Sequence, residues 1–228
     1  MNMDNRIFLD IETLPSDDAS MLDRLRLEVR PPANYKKADT IAAWLANEGE
    51  AAAQEQFAKT GLDGLYGRVC VVGYAIGEGD IVALRVDAYD SEAVFLERVF
   101  ASIDNDATDE HGFVKPLEVV GHNVEFDLKF LFHRAVRYGI KLPKCIAKAF
   151  GPDAKYATHD TMAMWCRYRE RVSLRNLARE LLKDPCTDVD GSKVAEAWAH
   201  DPAMVVEHCI SDVARTRRIY RKMVEVMP

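Results

Sequence analysis

Asp10 and Glu12 stand two residues apart at the end of an apolar, β-forming run that begins RIFLDI. A strand turns alternate side chains to one face, so both carboxylates point the same way. They lie at the strand's C-terminal end, where α/β sheets place their sites. Asp127 falls near the start of a helix that follows a later strand, and His208 and Asp212 lie four apart on the last helix, sharing one face. Four acids from three elements can therefore meet at one edge of a sheet. Two carboxylates ~4 Å apart repel by ~4 kcal/mol at an effective dielectric of 20. Divalent cations remove that cost, and oxygen ligands suit Mg²⁺ or Mn²⁺. Two such ions ~4 Å apart can clamp an in-line displacement at phosphorus, one activating the attacking water and the other stabilising the leaving 3′ oxygen. Singly, each acid has a plainer reading: a solvated turn for the DxE pair, a favourable helix N-terminus for Asp127, a surface charge for Asp212.

The elements that would position these acids follow from the patterning. Arg6–Ile11 reads as a buried strand ended by Pro15. Residues 17–67 read as a helical insertion, Ala- and Glu-rich, interrupted by Pro31 and Pro32 and closed by Gly61, Gly64 and Gly67. Strands are expected at Val69–Ile76 and Ile81–Val86, joined as a hairpin, and at Leu117–Gly121. Asp90 or Ser91 can cap a helix to about Ile103, and Asn123 one to about Tyr138. Further helices are expected near Thr161–Cys166, Ser173–Leu182 and Ser192–Ala199. The last starts at Asp201-Pro202, a capping Asp with Pro at the first helical position. Strands with helices around them make an α/β layered fold, a mixed sheet flanked by helices with the insertion after the first strand, and residues 1–228 are expected to form a single domain.

Composition narrows the setting. With 48% hydrophobic and 29% charged residues the chain is that of an ordinary globular protein. No apolar run reaches the ~18 residues of a membrane span, and Met1 to Arg6 lacks a signal-peptide core. Five widely spaced cysteines without a CxxC pair argue against a disulfide framework or a zinc cluster. The expected setting is the cytoplasm, with no membrane. The net charge of −7 is wrong for a protein that coats nucleic acid. Residues 1–114 carry −12, however, and residues 115–228 carry +5, which suits a small site gripping one strand end, the alternative being ordinary solubilising surface charge.

The motifs together resemble a known family. FLDIET (Asp10, Glu12), GHNVEFD (Gly121 to Asp127) and HCISDV (His208 to Val213) resemble the three motifs of the DEDD superfamily of 3′–5′ exonucleases, which have a ribonuclease H-like fold. The group most similar is the proofreading domains of family B DNA polymerases and their phage and prophage relatives. Supporting stretches are PPANYK, LYGRVCVVGYA, HDTM and DGSKVAEAW. The resemblance implies a 3′–5′ exonuclease that removes nucleoside monophosphates from single-stranded DNA, with Asp10, Glu12, Asp127 and Asp212 as ligands of two Mg²⁺ or Mn²⁺ ions. One branch of the superfamily positions the attacking water with Tyr four residues before the last Asp, the other with His five before it. Here His208 stands four before Asp212, combining the spacing of one with the side chain of the other. The resemblance also implies that Thr13 and Leu14 meet the terminal nucleotide, with Asn123 and Phe126 lining the same pocket. For Leu14 and Phe126 core packing is the alternative; for Asn123, and for Asp160, a helix cap. Arg167, Arg169, Arg171, Arg175 and Arg179 offer phosphate contacts or only a solvated face. Two rival functions stand beside this one: the same chemistry on RNA, and a catalytically silent relative that binds strand ends or a protein. A replication or recombination partner is left unspecified.

Overall fold

The computed structural model describes residues 3, 5–152, 154–166 and 170–227. The elements are β1 (Arg6–Leu14), α1 (Ala19–Glu28), α2 (Ala38–Lys59), β2 (Arg68–Ile76), β3 (Val82–Arg85), α3 (Glu92–Asp106), β4 (Glu118–Gly121), α4 (Val124–Tyr138), α5 (Lys144–Lys148), β5 (Thr158–Asp160), α6 (Thr161–Cys166), α7 (Leu174–Leu177), α8 (Val194–His200) and α9 (Pro202–Glu225). The strands form one sheet in the order β3-β2-β1-β4-β5. β1 pairs antiparallel with β2 and parallel with β4, so it sits at the centre of a mixed sheet.

Helices cover both faces. Ile7, Leu9 and Ile11 pack in the main core with Phe95, Leu96 and Val99 of α3 and Leu128 and Leu131 of α4. The other row of β1 includes Phe8, which packs against Val213 and Tyr220 of α9. Its ring meets Tyr220 edge-on at 5.9 Å between centroids. Asp10 and Glu12 continue the Phe8 row by the two-residue period of a strand. A buried Glu92–Arg134 pair ties the layers: the guanidinium holds both carboxylate oxygens, and Glu92 also accepts from Val69 N at 2.8 Å. 

Residues 17–67 are helical, as their composition implies. α1 is capped by Asp18, which accepts from Ser20 N, and Arg26 grips both oxygens of Glu50 on α2. α2 buries only Gly49 and Ala53, so its length reflects alanine-rich helix propensity more than packing. A 3₁₀ turn, Thr60–Leu62, returns the chain to the end of β1. There Thr13 Oγ1 donates to Gly61 O at 2.6 Å and Ser16 N to Thr60 Oγ1 at 2.9 Å.

Several expectations shift. β5 and α5 have no counterpart in the sequence pattern; three residues, Thr158–Asp160, carry too little periodicity to show. Asn123 begins α4 with φ of 62° and no side-chain cap hydrogen bond, so its side chain does not cap the helix. α7 runs into a π-helical turn, Ala178–Leu182, ended by Lys183 at φ 57°. No described helix is long and apolar enough to cross a membrane.

Two features set the distance between β1 and α9. Gly73 on β2 pairs with Asp10, and a Cβ there would lie 2.7 Å from Cys209 Sγ and 3.2 Å from Val213 Cγ2 on α9. Glycine thus lets α9 lie close against the sheet beside Asp10. A register shift between Glu12 and Thr13, where Cys70 is the extra residue, bends the pairing at the carboxylates. Gly73→Ala is expected to destabilise the protein by about 1–3 kcal/mol through overpacking. Adding Cys209→Ala is expected to recover part of the loss. Denaturant unfolding of both single variants and the double variant checks this; strictly additive effects contradict it.

Candidate active site

At the C-terminal end of β1 the chain gathers the predicted acids. Asp10 and Glu12 leave the face of β1 on which α9 lies. Asp127 is buried on α4, its Oδ1 accepting from Ile11 N at 3.0 Å, between the two β1 acids in sequence. α9 contributes His208 and Asp212. His208 Nε2 lies 3.4 Å from Glu12 Oε1 and 3.7 Å from Asp212 Oδ2. Cys209, on the next position of α9, donates its thiol to Asp10 O at 3.6 Å.

Electrostatics mark this corner. Burial, followed by the charges of Glu12, Asp127 and Asp212, pushes the Asp10 carboxyl well above the usual carboxylate range. Burial and then Asp212, Asp127 and Asp188 do the same to Glu12. Asp127 is pushed up to about 8, chiefly by burial, against the opposing hydrogen bond from Ile11. Burial also raises Asp212, although His208 and Arg215 oppose it. Asp10 Oδ2 is buried without any hydrogen-bond partner. An unpartnered buried carboxylate oxygen costs stability unless a donor or cation meets it. The donor set, four carboxylates of which one has an orphaned oxygen, fits a hard divalent cation.

Three residues of this site carry no sequence signal that singles them out. Asp188 Oδ2 accepts from His208 Nδ1 at 2.6 Å. Arg215, one turn beyond Asp212, grips both oxygens of Asp188 at 2.7 and 2.8 Å and donates to Asp212 Oδ1 at 2.9 Å. Asp184 takes two further bonds from the same guanidinium at 3.2 Å. Burial opposes ionisation of Asp188, but Arg215 and His208 outweigh it and hold its carboxyl well below the usual range. Only the three-residue spacing of Asp212 and Arg215 on one helix hints at this cluster.

The remaining candidates divide. Thr13, with Glu12, borders a cavity of about 330 Å³ whose other walls include Lys59, Gly61, Ser192 and Val194. Asn123 and Phe126 border a different cavity of about 900 Å³ that also includes Lys129, Phe132 and Arg171. Phe126 packs on Phe130, ring centroids 5.7 Å apart, so it is at once core and cavity wall. The Leu14 side chain lies in the core at 4% exposure, where packing accounts for it. Asp160 Oδ1 accepts from Met162 N and Asn123 N, both at 2.9 Å, so it caps α6 and fixes the left-handed turn at Asn123. Arg175 is not a free phosphate ligand: it donates to the carbonyls of Cys186, Asp188 and Val189. Arg171 and Arg179 are exposed, and Arg167 and Arg169 lie outside the described residues.

Comparison with known proteins places this architecture. The family B DNA polymerase of the hyperthermophilic archaeon Pyrobaculum calidifontis superposes on 96% of this chain at 17% identity, with a TM-score of 0.55. This chain spans 24% of that polymerase, and the likeness is one of fold. The mixed five-stranded sheet flanked by helices is the ribonuclease H-like fold. An uncharacterized protein of Methanocaldococcus jannaschii is 22% identical over 175 residues, which is 73% of this chain and 91% of that protein. A family model described as 3′–5′ exonuclease matches residues 111–228. That match covers more than half of the sequence and takes in Asp127, His208 and Asp212, and the chain accordingly belongs to the 3′–5′ exonuclease family.

Proposed function

We propose that the protein hydrolyses the terminal phosphodiester at the 3′ end of single-stranded DNA and releases nucleoside monophosphates. Asp10, Glu12, Asp127 and Asp212 would hold two Mg²⁺ or Mn²⁺ ions. The observation that carries this reading is the orphaned, buried Asp10 Oδ2 among three further carboxylates that all resist ionisation. When bound, such ions supply charge stabilisation and an activated water at phosphorus. The chain's own residues do the rest. His208 Nε2, facing Glu12 and Asp212, accepts a hydrogen bond from the attacking water. Thr13 and the backbone at Leu14 border the terminal nucleotide. Asn123 and Phe126 hold the strand, with Phe126 and Phe132 offering faces for base stacking and Lys129 and Arg171 offering phosphate contacts. The choice of DNA follows the motif resemblance. Matched DNA and RNA oligomers decide the sugar.

Strand degradation tests the assignment. Asp10→Ala and Asp127→Ala are each expected to remove several kcal/mol of transition-state stabilisation, roughly 10³-fold or more in rate, while the fold persists. A 3′-blocked strand should resist digestion and a 5′ block should have no effect. Activity retained in either variant, or cuts in a circular single strand, contradicts the proposal.

Metal removal has a pH signature. The Asp127 carboxyl titrates near 4 in an unfolded chain and at about 8 in the fold. The folded state therefore binds that proton more tightly. The stability this contributes is complete below about pH 4 and is lost as pH rises through about 8. In chelator, wild-type protein should lose melting temperature relative to Asp127→Asn across that window. Mg²⁺ or Mn²⁺ should raise the wild-type melting temperature most at its upper end. A difference between the two proteins that does not vary with pH contradicts the shift.

A further inference from the structure

The loop that precedes α8 carries no residue of the four-acid set, yet it reaches the centre of the site through one side chain. We infer that Asp188 is the positioning residue for His208: it fixes the ring's tilt and tautomer, so that Nδ1 carries the hydrogen and Nε2 is presented to the gap between Glu12 and Asp212. This inference rests on the proposed role of His208 at the attacking water.

The geometry leaves the ring little freedom. Asp188 Oδ2 and His208 Nδ1 are 2.6 Å apart, and both side chains are largely shielded from water. An ionised carboxylate only accepts, so the hydrogen on this contact belongs to Nδ1. In the neutral ring Nε2 is then the acceptor, and it is the atom facing Glu12 Oε1 and Asp212 Oδ2 at 3.4 and 3.7 Å. Neither acid forms a hydrogen bond with Nε2, which is left available to a water. Without Asp188 the same ring could donate from Nε2 to either acid, and the acceptor would be lost.

Asp188 is itself held against movement. Its two oxygens take two N–H groups of Arg215, which spends its other three on Asp184 and Asp212. Arg175 draws in the backbone of the same loop by donating to the Asp188 and Val189 carbonyls at 3.1 and 2.5 Å. Within the loop Lys183 and Cys186 adopt left-handed φ values of 57° and 50°, a conformation that costs energy in non-glycine residues and persists only under such constraint. One fully engaged guanidinium thus connects Asp188, which aims the histidine, to Asp212, on the helix turn the histidine faces.

The test reads the tautomer directly. Long-range ¹H–¹⁵N spectra of the ¹⁵N-labelled 228-residue chain with Mg²⁺, with His208 assigned by His208→Gln, distinguish the two ring nitrogens. The expected wild-type pattern is a protonated Nδ1 and a bare Nε2. Asp188→Asn, whose amide can donate to Nδ1, should move the hydrogen to Nε2 and lower kcat on single-stranded DNA by ~10²–10⁴-fold with little change in KM. Asp184→Asn, which touches Arg215 but not His208, should keep the wild-type ring pattern. A wild-type ring with hydrogen on Nε2, or an Asp188→Asn protein with unchanged pattern and rate, overturns the inference. The parent reading fails separately: if His208→Ala keeps full activity, His208 does not serve the water, whatever the spectrum of Asp188→Asn shows about the ring.

Discussion

Mutual repulsion among buried carboxylates is the constraint around which the rest of the molecule is arranged. Asp10, Glu12, Asp127 and Asp212 each resist ionisation, because burial strips their water and each feels the charge of others. Left alone, such a group would splay apart. Asp10 and Glu12 cannot leave, because they belong to the central strand, where they pair with Gly73 and Val71 of β2. Asp127 cannot leave, because the Ile11 N–H pins it to that strand. Asp212 is held by a helix that crosses the sheet and is locked by Phe8, Val213 and Tyr220. The apolar layers thus hold in place a polar cluster that would not assemble by its own attractions.

α9 is where the packing and the chemistry are coupled most tightly. One face carries Val205, Cys209, Val213 and Tyr220 into the cores, while the adjoining positions carry His208, Asp212 and Arg215 to the acids. The absence of a side chain at Gly73 lets this helix approach the strand pair at the level of Asp10. A displacement of α9 by the width of a methyl group would separate His208 from Glu12 as surely as it would open the core.

The acids were legible in the sequence because each sits on an element whose period is readable. A strand repeat of two relates Asp10 to Glu12, and a helical repeat relates His208 to Asp212. The helix bearing Asp127 is bracketed by Asn123 and by Gly139, whose φ of 68° ends α4 in a left-handed turn. Asp188 and Arg215 were not legible, because their bond joins a loop to a helix across 27 residues and exists only after the chain has folded. Leu14 shows a different limit. Its place beside the motif suggests contact with substrate, whereas its side chain is buried in the core. Asn123 marks the start of α4 correctly but for another reason: it tolerates the left-handed turn that Asp160 secures.

The division of labour within Asp212 and Asp127 explains how a cluster of buried acids can also be part of the fold. Asp212 gives Oδ1 to Arg215 and turns Oδ2 toward His208. Asp127 gives Oδ1 to the Ile11 N–H, while Asp10 keeps Oδ2 buried and without a partner. One oxygen of Asp212 and of Asp127 is thus spent on position, and the other is left to the site. Arg215 is the strong cation in this cluster, and all five of its N–H groups are already directed at Asp184, Asp188 and Asp212. It can orient Asp212 but has nothing left for Asp10 or Glu12. Among the described residues that guanidinium leaves the charge of those two acids unmet, and a proton and the cations proposed above would compete for the same oxygens.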